Sequence, residues 1–188
     1  MNAIKKSFTE HIDLAKSTAD SQAADISKVV GIILNCYKNT GKLLICGNGG
    51  SAADSQHFAA ELVGRYKKER RAMAAIALTT DTSALTAISN DYGFEHVFER
   101  QVEALGKKGD ILIMISTSGN SSNLLKAAET ARANGITTIG LLGKGGGKLG
   151  NICDHTIIID ADNTPRIQEM HTMIIHIICE EIEKTIFG

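Results

Sequence analysis

Five short apolar runs constrain this chain more than anything else in it: "KLLIC" (42–46), "AAIAL" (74–78), "ILIMI" (111–115), "TTIGLL" (137–142) and "TIIID" (156–160). Polar and apolar residues do not alternate along them, so each predicts a strand covered on both faces. Helix-length segments lie between them, namely Ala52–Tyr66, Thr82–Ala87 with Glu95–Leu105, and Asn123–Asn134. Strand and helix in alternation imply a parallel sheet, because each helical crossover returns the chain to the same end. The expected fold is therefore α/β, a three-layer sandwich in which about five parallel strands are flanked by helices.

A long helical region precedes the first strand. Apolar residues such as Ile26, Val29, Val30 and Ile33 recur at helical spacing, and "NTGK" supplies a stop at Gly41, with a break near Thr18. The chain ends in "NTPRIQEMHTMIIHIICEEIEKTIFG", where Thr164 can cap a last helix and Pro165 suits its first position. At 188 residues and 43% hydrophobic, the whole chain 1–188 reads as one domain with one core. Residues 1–40 form a helical extension suited to oligomerisation, the alternative being that they cover their own sheet.

A net charge of -1 and the lack of any Lys/Arg-rich run argue against nucleic acid and membrane surfaces as partners. No apolar stretch approaches the roughly 20 residues needed to cross a bilayer, and the charged N-terminus lacks the core of a signal peptide, so a cytoplasmic location is expected. Cys36, Cys46, Cys153 and Cys179 are scattered without C-x-x-C spacing and read as buried, reduced thiols.

Ligands of an open parallel sheet bind beyond the carboxyl ends of its strands, where loops meet helix N-termini. Two such loops stand out, "GNGGSAAD" (47–54) and "STSGNSSN" (116–123). The first matches neither the dinucleotide nor the P-loop spacing, and on its own serves equally as a tight turn. The second offers four serines and a threonine at a helix start, which suits a phosphate better than capping by Ser121 or Ser122 alone. "GKGGGKLG" (143–150) reads as a turn-forming connection.

His57 and Glu61, four residues apart, share one face of the helix that the first loop opens. They can be a solvated pair, a base with its neighbour, or two ligands of a divalent metal. The last helix carries Gln168, Glu169, His171 and His176, and helical geometry does not choose between the two histidines. Asn90 and Asp91 precede Gly93 as a turn requires, and Asp91 can also accept hydrogen bonds from a polyol.

"GNGGSAADSQHFAAELVGR", "AISNDYGFE", "ISTSGNSSN" and "RIQEMHTMIIHIICEEIE", in this order, resemble the sugar isomerase (SIS) domain proteins, most closely the phosphoheptose (sedoheptulose 7-phosphate) isomerases. The resemblance implies the SIS fold and a cytoplasmic homotetramer that converts D-sedoheptulose 7-phosphate to D-glycero-D-manno-heptose 7-phosphate. That is the first step toward activated heptose for lipopolysaccharide or capsule. It puts the sugar phosphate against Asn48, Gly49, Gly50, Ser51, Asn90 and Asp91, and its phosphate against Ser116, Thr117, Ser118 and Ser121. It implies Glu61 and His176 as base and acid, and His57, Glu61, Gln168 and His176 as ligands of one Zn2+ ion, with Glu61 and Gln168 also meeting substrate. Some relatives instead bind the bacterial replication initiator without catalysis, but those have a small residue where Glu61 stands.

Overall fold

The computed structural model describes residues 2–188. Helix α1 (Asn2–Lys38) leads into strand β1 (Leu43–Gly47), helix α2 (Gly50–Val63), strand β2 (Ala75–Ala77), helix α3 (Thr82–Tyr92) and helix α4 (Glu99–Leu105). Strand β3 (Ile111–Ser116), helix α5 (Ser122–Ala133), strand β4 (Thr137–Gly143), helix α6 (Leu149–Ile152), strand β5 (His155–Ile159) and helix α7 (Thr164–Phe187) complete the chain. The five strands form one sheet, wholly parallel, in the order β2-β1-β3-β4-β5.

Double coverage explains the unbroken apolar runs. On one face Leu43, Ile45, Ile111, Ile113 and Ile115 meet Ile26 and Ile33 of α1, Phe58 and Leu62 of α2, and Ile167, Ile174 and Ile178 of α7. On the other, Leu44, Cys46, Leu112 and Met114 meet Val102 of α4 and Leu124, Ala128 and Ala131 of α5. Successive strand residues thus serve opposite layers, as the pleat requires. The edges depart from the expected full burial: Ile76 of β2 is exposed, and β5 is only partly buried.

Several local expectations are corrected. No break occurs near Thr18, which is buried within a continuous α1. That helix covers its own sheet with Ile26–Cys36, while Ile4, Phe8 and Ile12 in its first half stay exposed. Its stop is made by Thr40 at φ 60, and Gly41 returns a hydrogen bond to the Cys36 carbonyl. Asn163, not Thr164, holds the N-cap position of α7, so Pro165 falls one place further into the first turn. Asn90 and Asp91 lie in the last turn of α3, which ends at Gly93 (φ 97), rather than in a turn of their own. The cysteines are free, with Cys36, Cys46 and Cys179 buried; burial holds the Cys36 thiol up at about 11 and the Cys179 thiol at about 12, so both stay protonated.

Candidate active site

Strand order decides where the site lies. From β1 the chain moves one way to β2, then returns to place β3 on the other side of β1, so the direction of winding reverses between β1 and β3. Loops leaving two such strands diverge to opposite faces of the sheet and open a crevice. The loops in question are the glycine-rich and hydroxyl-rich segments, with Gly47 opposite Ile115 in the sheet register.

The glycine-rich loop starts α2 two residues earlier than expected, with Gly50 already helical and Gly49 before it at φ 56. Gly50 lies against the Gln168 amide, so near that a Cβ there would stand 2.3 Å from the nitrogen. A side chain larger than hydrogen would displace the Gln168 amide from this position. In the second loop the Ser116 hydroxyl accepts the Gly119 amide at 3.0 Å, while Ser121 occupies the α5 N-cap position without a side-chain capping bond. The capping explanation for Ser121 therefore fails, and its hydroxyl stays available. The run 143–150 does more than turn the chain. Its backbone packs under this loop so tightly that a Cβ on Gly119 would come 1.9 Å from the Gly146 carbonyl, and Lys148 N–H donates to Asn120 Oδ1 at 3.1 Å.

Helices α2 and α7 both follow strands on the same face and run side by side in register, forming a ladder of polar contacts. Gln168 meets Gly50 at its foot. One turn on, Thr172 Oγ1 donates to Asp54 Oδ1 at 2.9 Å. Next, His57 Nε2 and His176 Nε2 face each other at 2.7 Å, the rings edge to face. Glu61 follows, its Oε1 3.7 Å from His57 Nδ1, with 21% of its side chain exposed. So the histidine that this seam engages is His176. His171 turns the other way, fully buried, with neither ring nitrogen in a well-formed hydrogen bond; burial holds it down to about 4, the nearby Leu142 carbonyl opposing weakly. Asn90 and Asp91 are exposed and hydrogen-bond to each other at 2.8 Å, and no hydrogen bond ties them to either loop among the described residues.

Two ring nitrogens at 2.7 Å have room for one proton between them, which suits a shared proton. Imidazole, carboxylate and amide are donor types that zinc accepts. At 2.7 Å the two imidazole nitrogens stand nearer than the roughly 3.3 Å kept by two nitrogens on one tetrahedral ion, Glu61 approaches the Nδ1 side of His57, and Gln168 lies at the foot of the ladder against Gly50. Among the described residues no three His, Cys, Asp or Glu side chains are gathered closely enough to enclose a metal.

Sequence reasoning gave no role to three features beside this seam. Asp54 keeps Oδ2 buried without a partner, and burial raises its pKa against the opposing Thr172 bond and His57. Asn123 is buried and paired with Asn48. Below Glu61, the buried Arg70–Glu183 ion pair anchors the end of α2: Arg70 donates to the Glu61 carbonyl at 2.7 Å and the Leu62 carbonyl at 3.0 Å. Glu183 accepts the amides of Tyr66, Lys67 and Lys68, and Tyr66 lies over His176 with ring centroids 5.9 Å apart. An isolated arginine and glutamate 113 residues apart give no sign of this in the sequence.

A parallel sheet of this order is shared by many doubly wound proteins, and among such families residues 8–143 of this chain match the SIS domain. The match ends before α7, but longer similarities cover that helix. The chain is 55% identical to phosphoheptose isomerase 1 of Campylobacter jejuni, over 98% of this chain and 99% of the relative. It is 57% identical to phosphoheptose isomerase of Helicobacter hepaticus, over 96% and 91%. The solved structure of phosphoheptose isomerase from Neisseria gonorrhoeae superposes with TM-score 0.93 at 44% identity, covering 97% of this chain and 98% of that one. The chain belongs to the phosphoheptose isomerase family of SIS-domain enzymes.

Proposed function

We propose that this enzyme interconverts D-sedoheptulose 7-phosphate and D-glycero-D-manno-heptose 7-phosphate, with Glu61 and His176 moving the protons. Ketose–aldose isomerisation removes a proton from the carbon beside a carbonyl, stabilises the charged enediol, and returns a proton one carbon along. Glu61, partly exposed at the head of the seam, takes and returns the carbon proton. His176, paired with His57, supplies and recovers a proton at the substrate oxygens. Ser116, Thr117, Ser118 and Ser121 hold the phosphate at the start of α5, while Asn48, Gly49, Gly50, Ser51 and Gln168 line the sugar, and Asn90 and Asp91 complete it in the assembled enzyme. Phosphate binding, remote from the reacting carbons, contributes to orienting them.

His57, Glu61, Gln168 and His176 would hold a zinc ion once their side chains turn toward one another, and the ion when bound would polarise substrate oxygens. A carboxylate bonded to metal is a poorer base, so Glu61 serves one role at a time. The enzyme assembles as a homotetramer in this reading, and the exposed stripe Ile4, Phe8 and Ile12 supports self-association through α1. No helix among the described residues is long and apolar enough to cross a membrane, in keeping with a cytoplasmic enzyme supplying heptose for lipopolysaccharide or capsule.

The observation that carries this reading is the α2–α7 seam, in which His57 and His176, 119 positions apart, meet at 2.7 Å with Glu61 one turn further along α2. Assay of the purified protein with sedoheptulose 7-phosphate tests it. Glu61→Gln, nearly isosteric but unable to take a proton, is expected to lose at least about a thousandfold in turnover while keeping its circular dichroism. Turnover within a few fold of wild type would remove Glu61 from the chemistry.

A further inference from the structure

We propose that Asn123 is a positioning residue, tying the hydroxyl-rich loop to the glycine-rich loop through a reciprocal pair with Asn48. Asn48 Nδ2 donates to Asn123 Oδ1 at 3.0 Å, and Asn123 Nδ2 donates to Asn48 Oδ1 at 2.9 Å. Each carboxamide gives one proton and receives one, so the two bonds form together only when both side chains hold a single mutual orientation. Asn123 is 2% exposed in the first turn of α5, where a lost partner leaves a buried polar group unsatisfied. Asn48 is the first residue beyond β1, and the neighbouring strand β3 leads into the loop before α5. The pair therefore spans the crevice at the winding reversal and fixes the distance between its two walls.

Such a tie has a use in this chemistry, and the inference rests on the isomerase reading given above. Phosphate held at Ser116–Ser121 can orient carbons lying beside Gly49–Ser51 only if the two loops keep their separation when the phosphate binds. A misplacement of about 1 Å between seat and reacting end costs on the order of a hundredfold in rate. Asn48 thereby takes a second role. Besides lining the sugar, its carboxamide gives one proton to Asn123 and accepts one from it, so its loss acts through the same tie.

Steady-state kinetics of Asn48→Ala, Asn123→Ala and the double variant with sedoheptulose 7-phosphate test this, with inorganic phosphate as competing inhibitor. Each single change is expected to lower kcat about ten- to a hundredfold. The double should be no worse than either single, and the phosphate inhibition constant should stay within about twofold of wild type, because the hydroxyl seat itself is untouched. Losses that multiply in the double, an unchanged kcat, or a parallel weakening of phosphate inhibition would each overturn the proposal; the last would mean a collapsed loop. Should the alanine variant of Asn123 fail to fold, Asn123→Ser, which keeps a polar group in place, is read by the same criteria. Glu61→Gln assayed alongside separates the two levels of inference. An active Glu61→Gln overturns the site, whereas an inactive one beside a fully active Asn123→Ala overturns only the tie.

Discussion

Glu183→Ala would remove the acceptor on which the segment after α2 hangs. The Glu183 side chain is 4% exposed and that of Arg70 1%. The carboxylate receives Arg70 Nε at 3.0 Å together with the Lys67 and Lys68 amides at 3.0 and 2.8 Å, and the Tyr66 amide at 3.3 Å. Burial alone would raise its pKa, but these donors outweigh burial and hold it below the usual carboxylate range. Stripping one partner from a buried pair costs about 3–5 kcal/mol. Arg70 keeps its bonds to the Glu61, Leu62, Gly64 and Arg71 carbonyls, and the exposed backbone at 67–68 can turn to water, so the lower figure applies, about 3 kcal/mol. For a chain of this length that shifts a thermal midpoint down by about 6–12 °C. Urea titration followed by circular dichroism should show a lower midpoint at unchanged slope, and Glu183→Gln, which keeps one acceptor oxygen, should lie between wild type and alanine. A loss under about 1 kcal/mol for Glu183→Ala would refute the clamp.

Ser118→Ala is expected to raise KM about tenfold while changing kcat less, as loss of one hydrogen bond to a charged phosphate would do; an unchanged KM would count against the hydroxyl seat. Chelation should lower activity and added zinc restore it, with about one zinc per chain by elemental analysis; a metal-free preparation at full activity would dismiss the ion. His171, held down to about 4 from an ordinary 6.5, gives the unfolded chain the greater proton uptake between those values. Native stability should therefore fall as pH drops from about 6.5 toward 4, by about 3 kcal/mol in all. His171→Leu should flatten that decline relative to wild type in urea midpoints taken at pH 7 and 4.5, and parallel declines would contradict it.

Much of the architecture was legible because its cause is local. A strand buried on both faces is apolar along most of its length, so the runs at 42–46, 111–115 and 137–142 announced themselves, and helices between them required parallel pairing. Errors fell where the signal was weaker. Asn90–Asp91 carries turn chemistry, yet the helix continues to Gly93, whose positive φ closes it. Thr18 is an indifferent helix former by composition, but its burial against the fold keeps α1 unbroken. In the site, i,i+4 spacing put His57 and Glu61 on one face, whereas the same rule left His171 and His176 equivalent on α7.

What the amino-acid order determined unaided is everything that depends on neighbours within a turn or a strand: the element types, the two unusual loops, and the paired side chains of α2. Which loops flank a crevice depended on strand order, and strand order is a contest between competing long-range pairings that no local pattern encodes. The same holds for His57 against His176, Asn48 against Asn123 and Arg70 against Glu183, separated by 119, 75 and 113 positions. Only packing of the helices onto a finished sheet sets their rotation and register, and a helix turned by about 140° would have presented the other histidine.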